Sequence, residues 1–379
     1  MRIAIVTETW PPEVNGVALT VQSLAHGLHR NGHVVEVIRP GQSSDRSEPA
    51  TAAFAELLVR SMALPRYPGL RLGMPSLSRL LRHWRSKRPQ ALYVATEGPL
   101  GHGALTAAKR LGIPACTGFH TRFDDFIAAY GFPWLTPLVF AGMRRFHNRA
   151  QATLVPTGEL ADFLRQQGFS NVSLLRRAVD TELFHPRQRS ESLRKDWGIG
   201  ARDIAVIHVG RLAREKNLDL AVHAFRQIQH DHPSARLVIV GDGPERARIA
   251  LANPDIVFAG MRHGDDLSCH YASGDLFLFP STSETFGNVT LEAMACGLPV
   301  IAFDYGAARE HIVDGECGMG IPIGDEAAFV SAARQLASAP SNRARMGRAA
   351  RAAVSGLSPD SVNLHFSELL QSLVMEAAA

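Results

Sequence analysis

Cysteine is scarce in this chain of 379 residues. There are four, Cys116, Cys269, Cys296 and Cys317, and none stands in a C-x-x-C spacing. That argues against a disulfide framework or a thiolate zinc site and makes a reducing cytoplasm the expected compartment. Long apolar runs are missing too, since no stretch reaches the roughly eighteen residues that read as a membrane span. The opening MRIAIVTETW lacks the apolar centre and small-residue cleavage site of a secretory signal. The chain is therefore expected to be soluble, or at most to lie on a surface. G-x-S-x-G, H-E-x-x-H and G-x-x-x-x-G-K-[ST] do not occur, which weighs against the common hydrolase, zinc-protease and P-loop readings. Nor is there a D-x-D pair to hold a divalent cation against a diphosphate. No repeat with a period of about 20–50 residues and no low-complexity tract is found.

What is present is the composition of a folded protein, 46% hydrophobic and 20% charged. A chain this long exceeds what one hydrophobic core usually holds, so two domains are expected. The net charge of +4 conceals an asymmetry. Residues 1–186 carry 21 Lys and Arg against 13 Asp and Glu, whereas residues 187–379 carry 19 against 23. Between Glu56 and Glu97 stand eight basic residues (Arg60, Arg66, Arg71, Arg79, Arg82, Arg85, Lys87 and Arg88) and no acid. A solvated basic face accounts for this 57–96 stretch. So does attraction to an anionic surface, membrane lipid ahead of nucleic acid, each cation near an anionic bilayer contributing about 1 kcal/mol.

Short apolar runs alternate with helix-like stretches from end to end. RIAIVTET, HVVEVIRP, ALYVAT, IPACTGFH and ATLVPT read as strands, with a helix over Val17 to Asn31 after the first. VSLLRRAVD then runs into TELFHPR, polar and carrying a proline, which reads as a linker. The pattern restarts with IAVIHVGR, RLVIVGDG, IVFAG, DLFLFPS and LPVIAFD. Strands alternating with helices predict parallel sheets covered on both faces. Two such series predict an α/β protein of two facing, doubly wound, Rossmann-like domains, with ligands at the carboxyl ends of the strands in the cleft between them. The final SPDSVNLHFSELLQSLV reads as a helix with a Ser/Asp start signal.

The strand ends carry the chemistry. Gly16 follows the first strand in TETWPPEVNGVALT, where a glycine lets a ligand approach the N–H groups of a helix start; a plain loop glycine would look the same. In HVGRLAREKNLDL, Arg211 ends a strand and Lys216 follows five residues later, two cations suited to a diphosphate. GDGPER reads better as a turn before a helix than as a phosphate loop. His120 ends a strand in TGFHTRFDDF, ahead of Asp124 and Asp125, and suits a sugar hydroxyl or a developing charge as well as a structural role. SETFGNVTLEAMACGLPV places Glu284 and Glu292 around a helix start where backbone N–H groups favour an anion. Carboxylates beside an anion site are explained if they accept hydrogen bonds from hydroxyls, so a ligand both phosphorylated and polyhydroxylated fits. Glu292 is also explained by the helix dipole alone.

Glu284-x7-Glu292, with GRLAREKNL, VGDGPER and GFHTRFDDF, resembles a retaining glycosyltransferase of the GT-B fold, family 4, over nearly the whole chain. PPEVNGVA and ETFGNV are most similar to the branch of mannosyl-, glucosyl- and sulfoquinovosyltransferases, many of which make glycolipids. The resemblance implies that Gly16 admits the diphosphate and that His120 bonds the donor sugar near its 6-position. It implies Arg211 and Lys216 on the diphosphate, Glu284 on the transferred sugar's hydroxyls, and Glu292 on the ribose diol. Thr285, Phe286, Gly287, Asn288 and Val289 would contact sugar and phosphate, and Met261, in VFAGMR, would help cup the base. The implied domains are 1–185, with a helix from about 360–379 crossing back, and 186–359. One departure is Ala178 in RRAVDTELFHP, where the family usually has glycine.

A hexose transferred from a nucleotide-diphosphate sugar, GDP-mannose or UDP-glucose, to a membrane lipid is thus expected, with retained configuration, no cofactor and no metal. Peripheral association of the basic first domain with the inner face of the cell membrane, and no nucleic-acid partner, complete the expectation. The same chemistry on a polysaccharide or small soluble acceptor, a nucleotide-sugar epimerase, a nucleotide-sugar sensor and a basic nucleic-acid-binding module are the other readings. No helix-turn-helix, zinc-finger or RNA-recognition signature supports the last.

Overall fold

The computed structural model describes residues 1–13, 16–42, 54–63, 71–74, 76–120, 136–200, 203–284 and 286–378. They form two compact units, Met1–Arg176 with Pro359–Ala379, and Arg177–Ser358. The division falls ahead of the 185/186 position read from the linker, because Val179 and Phe184 are buried in the core of the second unit and the Val179 N–H donates to the Leu357 carbonyl. Ala178 is half-buried beside them.

The strands of the first unit are β1 (Arg2–Val6), β2 (Val34–Pro40), β3 (Ala55–Val59), β4 (Ser61–Ala63), β5 (Arg71–Gly73), β6 (Ala91–Val94), β7 (Ala115–Gly118), β8 (Ala152–Val155) and β9 (Val172–Leu174). Seven of them make a parallel sheet in the order β3-β2-β1-β6-β7-β8-β9, and β4 pairs with β5 as a small antiparallel hairpin. Strands β6, β7 and β8 are buried at every residue, as expected of a parallel sheet covered on both faces. The C-terminal helix Pro359–Ala378 packs on helix Gly16–Arg30 and sends Phe366, Leu370 and Leu373 into the cluster around Ile3, Ile5 and Tyr93. Its placement depends on Gly27, where any Cβ would collide with the buried Asn363 side chain.

The second unit has β10 (Ala205–Val209), β11 (Arg236–Val240), β12 (Val257–Gly260), β13 (Leu276–Phe279), β14 (Val300–Phe303) and β15 (Gly318–Ile321). They are parallel, in the order β12-β11-β10-β13-β14-β15. The order reverses between β10 and β13, as it does between β1 and β6 in the first unit. At such a reversal the loops leave in opposite directions and open a crevice at the strands' carboxyl ends. The four cysteines are unpaired. Among the described residues no helix is long and apolar enough to cross a membrane.

Gly27→Ala is expected to cost roughly 1–3 kcal/mol through overpacking against Asn363. Adding Asn363→Ala should restore most of that loss, as read by urea denaturation; a double variant no better than the single one would contradict this packing.

Candidate functional site

The loop leaving β10 is fixed before any side chain acts. The N–H groups of Gly210 and Leu212 donate to the carbonyls of Val240 (3.0 Å) and Asp242 (2.9 Å), and Glu245 N–H donates back to Leu212 (2.9 Å). A Cβ at Gly241 would collide with the Gly210 carbonyl, and one at Gly243 with that of Leu212. GDGPER is thus the glycine-lined bed on which the GRLA loop lies. Held there, Arg211 is exposed and its side chain has no hydrogen-bond or ion-pair partner among the described residues. Lys216 closes a short 3-10 turn, Arg214–Lys216, five residues on.

The loop leaving β13 meets it. The Glu215 carbonyl accepts from Thr282 N–H (2.9 Å) and Thr282 Oγ1 (3.2 Å). Tyr305 Oη anchors the same loop by donating to the Ser281 carbonyl at 2.9 Å. These contacts bring Lys216 and Glu284 together: the Lys216 ammonium donates to Glu284 Oε1, both side chains being about 15% exposed. Ser281 Oγ donates to the same carboxylate oxygen at 2.9 Å, and Lys216 Nζ lies 5.7 Å from the centre of the Phe279 ring. Two residues that the sequence reading placed on different parts of a ligand are therefore bonded to each other. Ser281 and Tyr305 were not read from the sequence, because neither stands in a recognisable spacing to Glu284.

The chain then turns into helix Asn288–Ala295. Thr285 lies outside the described residues. Phe286 is buried, and its carbonyl accepts from Ala307 N–H at 2.7 Å. Gly287 caps the helix at φ 93°, a left-handed conformation that favours glycine. Behind it, Asn288 and Val289 are half-buried, and the first N–H groups of such a helix have no intrahelical partner. Glu292 is one turn further on, half-buried, with its Oε2 accepting from Tyr271 Oη at 2.8 Å. Burial pushes its carboxyl up from the ordinary value to about 7, against the opposing pull of the Tyr271 bond. Tyr271 comes from a different helix, Gly264–Ala272, so no local pattern announced it. Met261 follows β12 directly and is 48% exposed.

In the first unit, His120 follows β7 and is half-buried, with its Nε2 2.6 Å from Tyr93 Oη. Asp124 and Asp125 lie outside the described residues. Gly16 is the exposed first residue of its helix. Glu8, just past β1, is a residue the sequence reading passed over. One of its oxygens accepts from Leu100 N–H at 3.0 Å and the other from Gly73 N–H, so it ties the β4–β5 hairpin to the start of helix Pro99–Leu111. Burial raises its carboxyl above the usual range in spite of those two bonds. Of the basic stretch, Arg79, Arg82, Arg85, Lys87 and Arg88 lie on and just after helix Leu77–Ser86, whose Leu80 and Trp84 are buried, and all five are exposed. Arg66 lies outside the described residues.

Residues 14–183 match the model of Glycosyltransferase Family 4, and residues 203–339 that of Glycosyl transferases group 1. A "GDP-mannose-dependent alpha-mannosyltransferase" of Mycobacterium tuberculosis is 38% identical, the match covering 86% of this chain and 85% of that protein. A "GDP-mannose-dependent alpha-(1-6)-phosphatidylinositol dimannoside mannosyltransferase" of the same species is 30% identical over 91% of this chain and 90% of that one. Among solved structures, sucrose-phosphate synthase from Thermosynechococcus elongatus superposes with a TM-score of 0.80 over the full length of both chains at 19% identity, a likeness of fold.

The raised carboxyl of Glu292 has a sign that can be checked. Its folded value of about 7 lies above the usual 4.5, so the unfolded chain releases this proton first. Stability is therefore lost as pH rises from 4.5 towards 7 and stays lost above, each unit being worth about 1.4 kcal/mol. Glu292→Gln should gain on the unaltered protein in urea denaturation between pH 5 and pH 8. A difference independent of pH would contradict this assignment.

Proposed function

The chain belongs to glycosyltransferase family 4, a hexosyltransferase with the GT-B fold, and on that premise we propose that it moves mannose from GDP-mannose to a membrane lipid. The observation that carries the donor site is the Lys216–Glu284 ion pair at the strand reversal of the second unit, on the loop that also carries Arg211. Arg211 would grip the diphosphate and Lys216 would add a point charge. Glu284 would accept from the sugar's hydroxyls. The backbone of Phe286, Gly287, Asn288 and Val289, together with Thr285, would line sugar and phosphate. Glu292, whose burial costs stability where it ionises, would accept from the ribose diol through the oxygen that Tyr271 leaves open. Met261 would lie against the base. By the family resemblance, His120 would bond the donor sugar near its 6-position and Gly16 would admit the diphosphate.

The names of these two relatives support GDP-mannose and an alpha product. An α-mannoside formed from an α-configured donor keeps its anomeric configuration. A front-face transfer fits: the acceptor oxygen bonds the anomeric carbon as the bond from that carbon to the phosphate oxygen breaks, and the acceptor's proton passes to the departing diphosphate. Negative charge growing on that diphosphate would be met by Arg211, Lys216 and the helix start, without a metal. A lipid acceptor is supported by the phosphatidylinositol dimannoside in one relative's name and by the exposed basic helix, which suits the anionic inner face of a cell membrane. Nucleic acid has no place in this reading.

The test is transfer of mannose from GDP-mannose into a lipid extract. Glu284→Ala should lower turnover at least about a hundredfold. It also frees Lys216, so nucleoside-diphosphate affinity should stay within a few-fold or tighten. Arg211→Ala should weaken nucleoside-diphosphate binding itself by about tenfold. Near-normal turnover in Glu284→Ala would remove it from the reaction. For the acceptor side, the protein should sediment with anionic vesicles and release in about 0.5 M salt; Arg79→Glu with Arg82→Glu and Arg85→Glu should abolish sedimentation. Salt-insensitive or absent sedimentation would favour a soluble or polysaccharide acceptor.

A further inference from the structure

His208 is the last residue but one of β10, fully buried, on the strand that borders β13 at the reversal of strand order. Its Nδ1 lies 2.9 Å from the carbonyl oxygen of Leu278, which can only accept, so Nδ1 carries the proton. Nε2 is then a bare lone pair, enclosed and without a hydrogen-bond partner among the described residues. A buried acceptor in that state is costly and calls for a physical reason. Nε2 stands 3.8 Å from where a Cβ on Gly210 would be, so it faces the start of the loop that carries Arg211 and Lys216. The imidazole stacks on Phe279, ring centres 6.0 Å apart and planes at 28°, and Lys216 Nζ lies 5.7 Å from that same ring's centre. Burial, joined by the charge of Lys216, pushes the imidazole down to about 4 and keeps it neutral.

We infer that His208 Nε2 is a second seat for the Lys216 ammonium, taken up when a nucleotide sugar fills the site. The inference rests on the donor-site reading above and deepens it. An ammonium has three N–H groups, and in this structure Glu284 accepts one of them. Sugar hydroxyls that donate to Glu284 compete for its oxygens, while the diphosphate draws the ammonium away. Phosphate oxygens only accept, as neutral Nε2 does, so the two cannot bond each other directly. Lys216 can donate to both at once. His208 is thus a positioning residue that keeps Lys216 against the diphosphate without returning it to Glu284, and no proton changes owner.

The test is a double-mutant cycle on nucleoside-diphosphate affinity with His208→Phe, Lys216→Met and both together. His208→Gln is the conservative variant, keeping an acceptor near the position of Nε2. Affinity is read by displacement of a fluorescent nucleotide at ligand concentrations high enough to measure weak variants. His208→Phe should weaken binding about tenfold while Lys216 is present, the size a charge-assisted bond supports, and by less than about twofold once Lys216 is gone. His208→Gln should recover most of the loss. Equal losses in both backgrounds would mean that His208 serves only the fold and would overturn the assignment, as would unchanged affinity in His208→Phe. If the unaltered protein binds neither UDP nor GDP, the donor-site reading itself fails and takes this assignment with it, an outcome visible before any variant is made.

Discussion

Lys216 and Glu284 stand 68 positions apart in the chain and are joined by one ion pair, and the second unit is arranged so that they meet. The contact exists because β10 and β13 are neighbours where the strand order of this unit reverses. Gly241 and Gly243 let the β11 loop lie against the first of the two loops, and the Glu215 carbonyl gathers the second. Neither charge is well exposed, so each needs the other while no ligand is present; an isolated buried charge would cost several kcal/mol. A ligand carrying both anionic oxygens and hydroxyls can separate them by satisfying each. A ligand offering only one of the two leaves the other partner to be satisfied elsewhere. That requirement favours a complete nucleotide sugar over either fragment.

Glu292 follows the same logic. A carboxyl raised to about 7 by burial is a poor choice for stability, and glutamine would keep a bond from Tyr271 without the penalty. Groups held away from their ordinary titration range concentrate where a ligand makes use of them. The helix-dipole account considered from sequence does not describe what is seen, because Glu292 is the fifth residue of its helix and faces Tyr271 rather than solvent.

Most strands were legible because a strand covered on both faces must be a short unbroken apolar run, as in IAVIHV and DLFLF. The strands not read are the ones that lack this mark. β15 is built from GMGI, half of it glycine, at a sheet edge, and β3 is a half-buried edge strand. The motif residues were legible as positions at strand ends, since glycine and charge directly after an apolar run mark the mouth of a loop rather than a core. Their partners were not. Tyr271, Ser281 and His208 reach the site through strand order and helix packing, which no local spacing encodes. His208 was hidden most thoroughly, since inside an apolar strand a histidine looks like one more core residue.

A nucleotide-sugar site at the strand reversal of the second unit would also bind a free nucleoside diphosphate. Calorimetric titration of the intact protein with GDP and with UDP, in buffer containing a chelator, tests it most directly. GDP is expected to bind, with a clear preference over UDP. Binding of neither nucleotide by a demonstrably folded sample would contradict it.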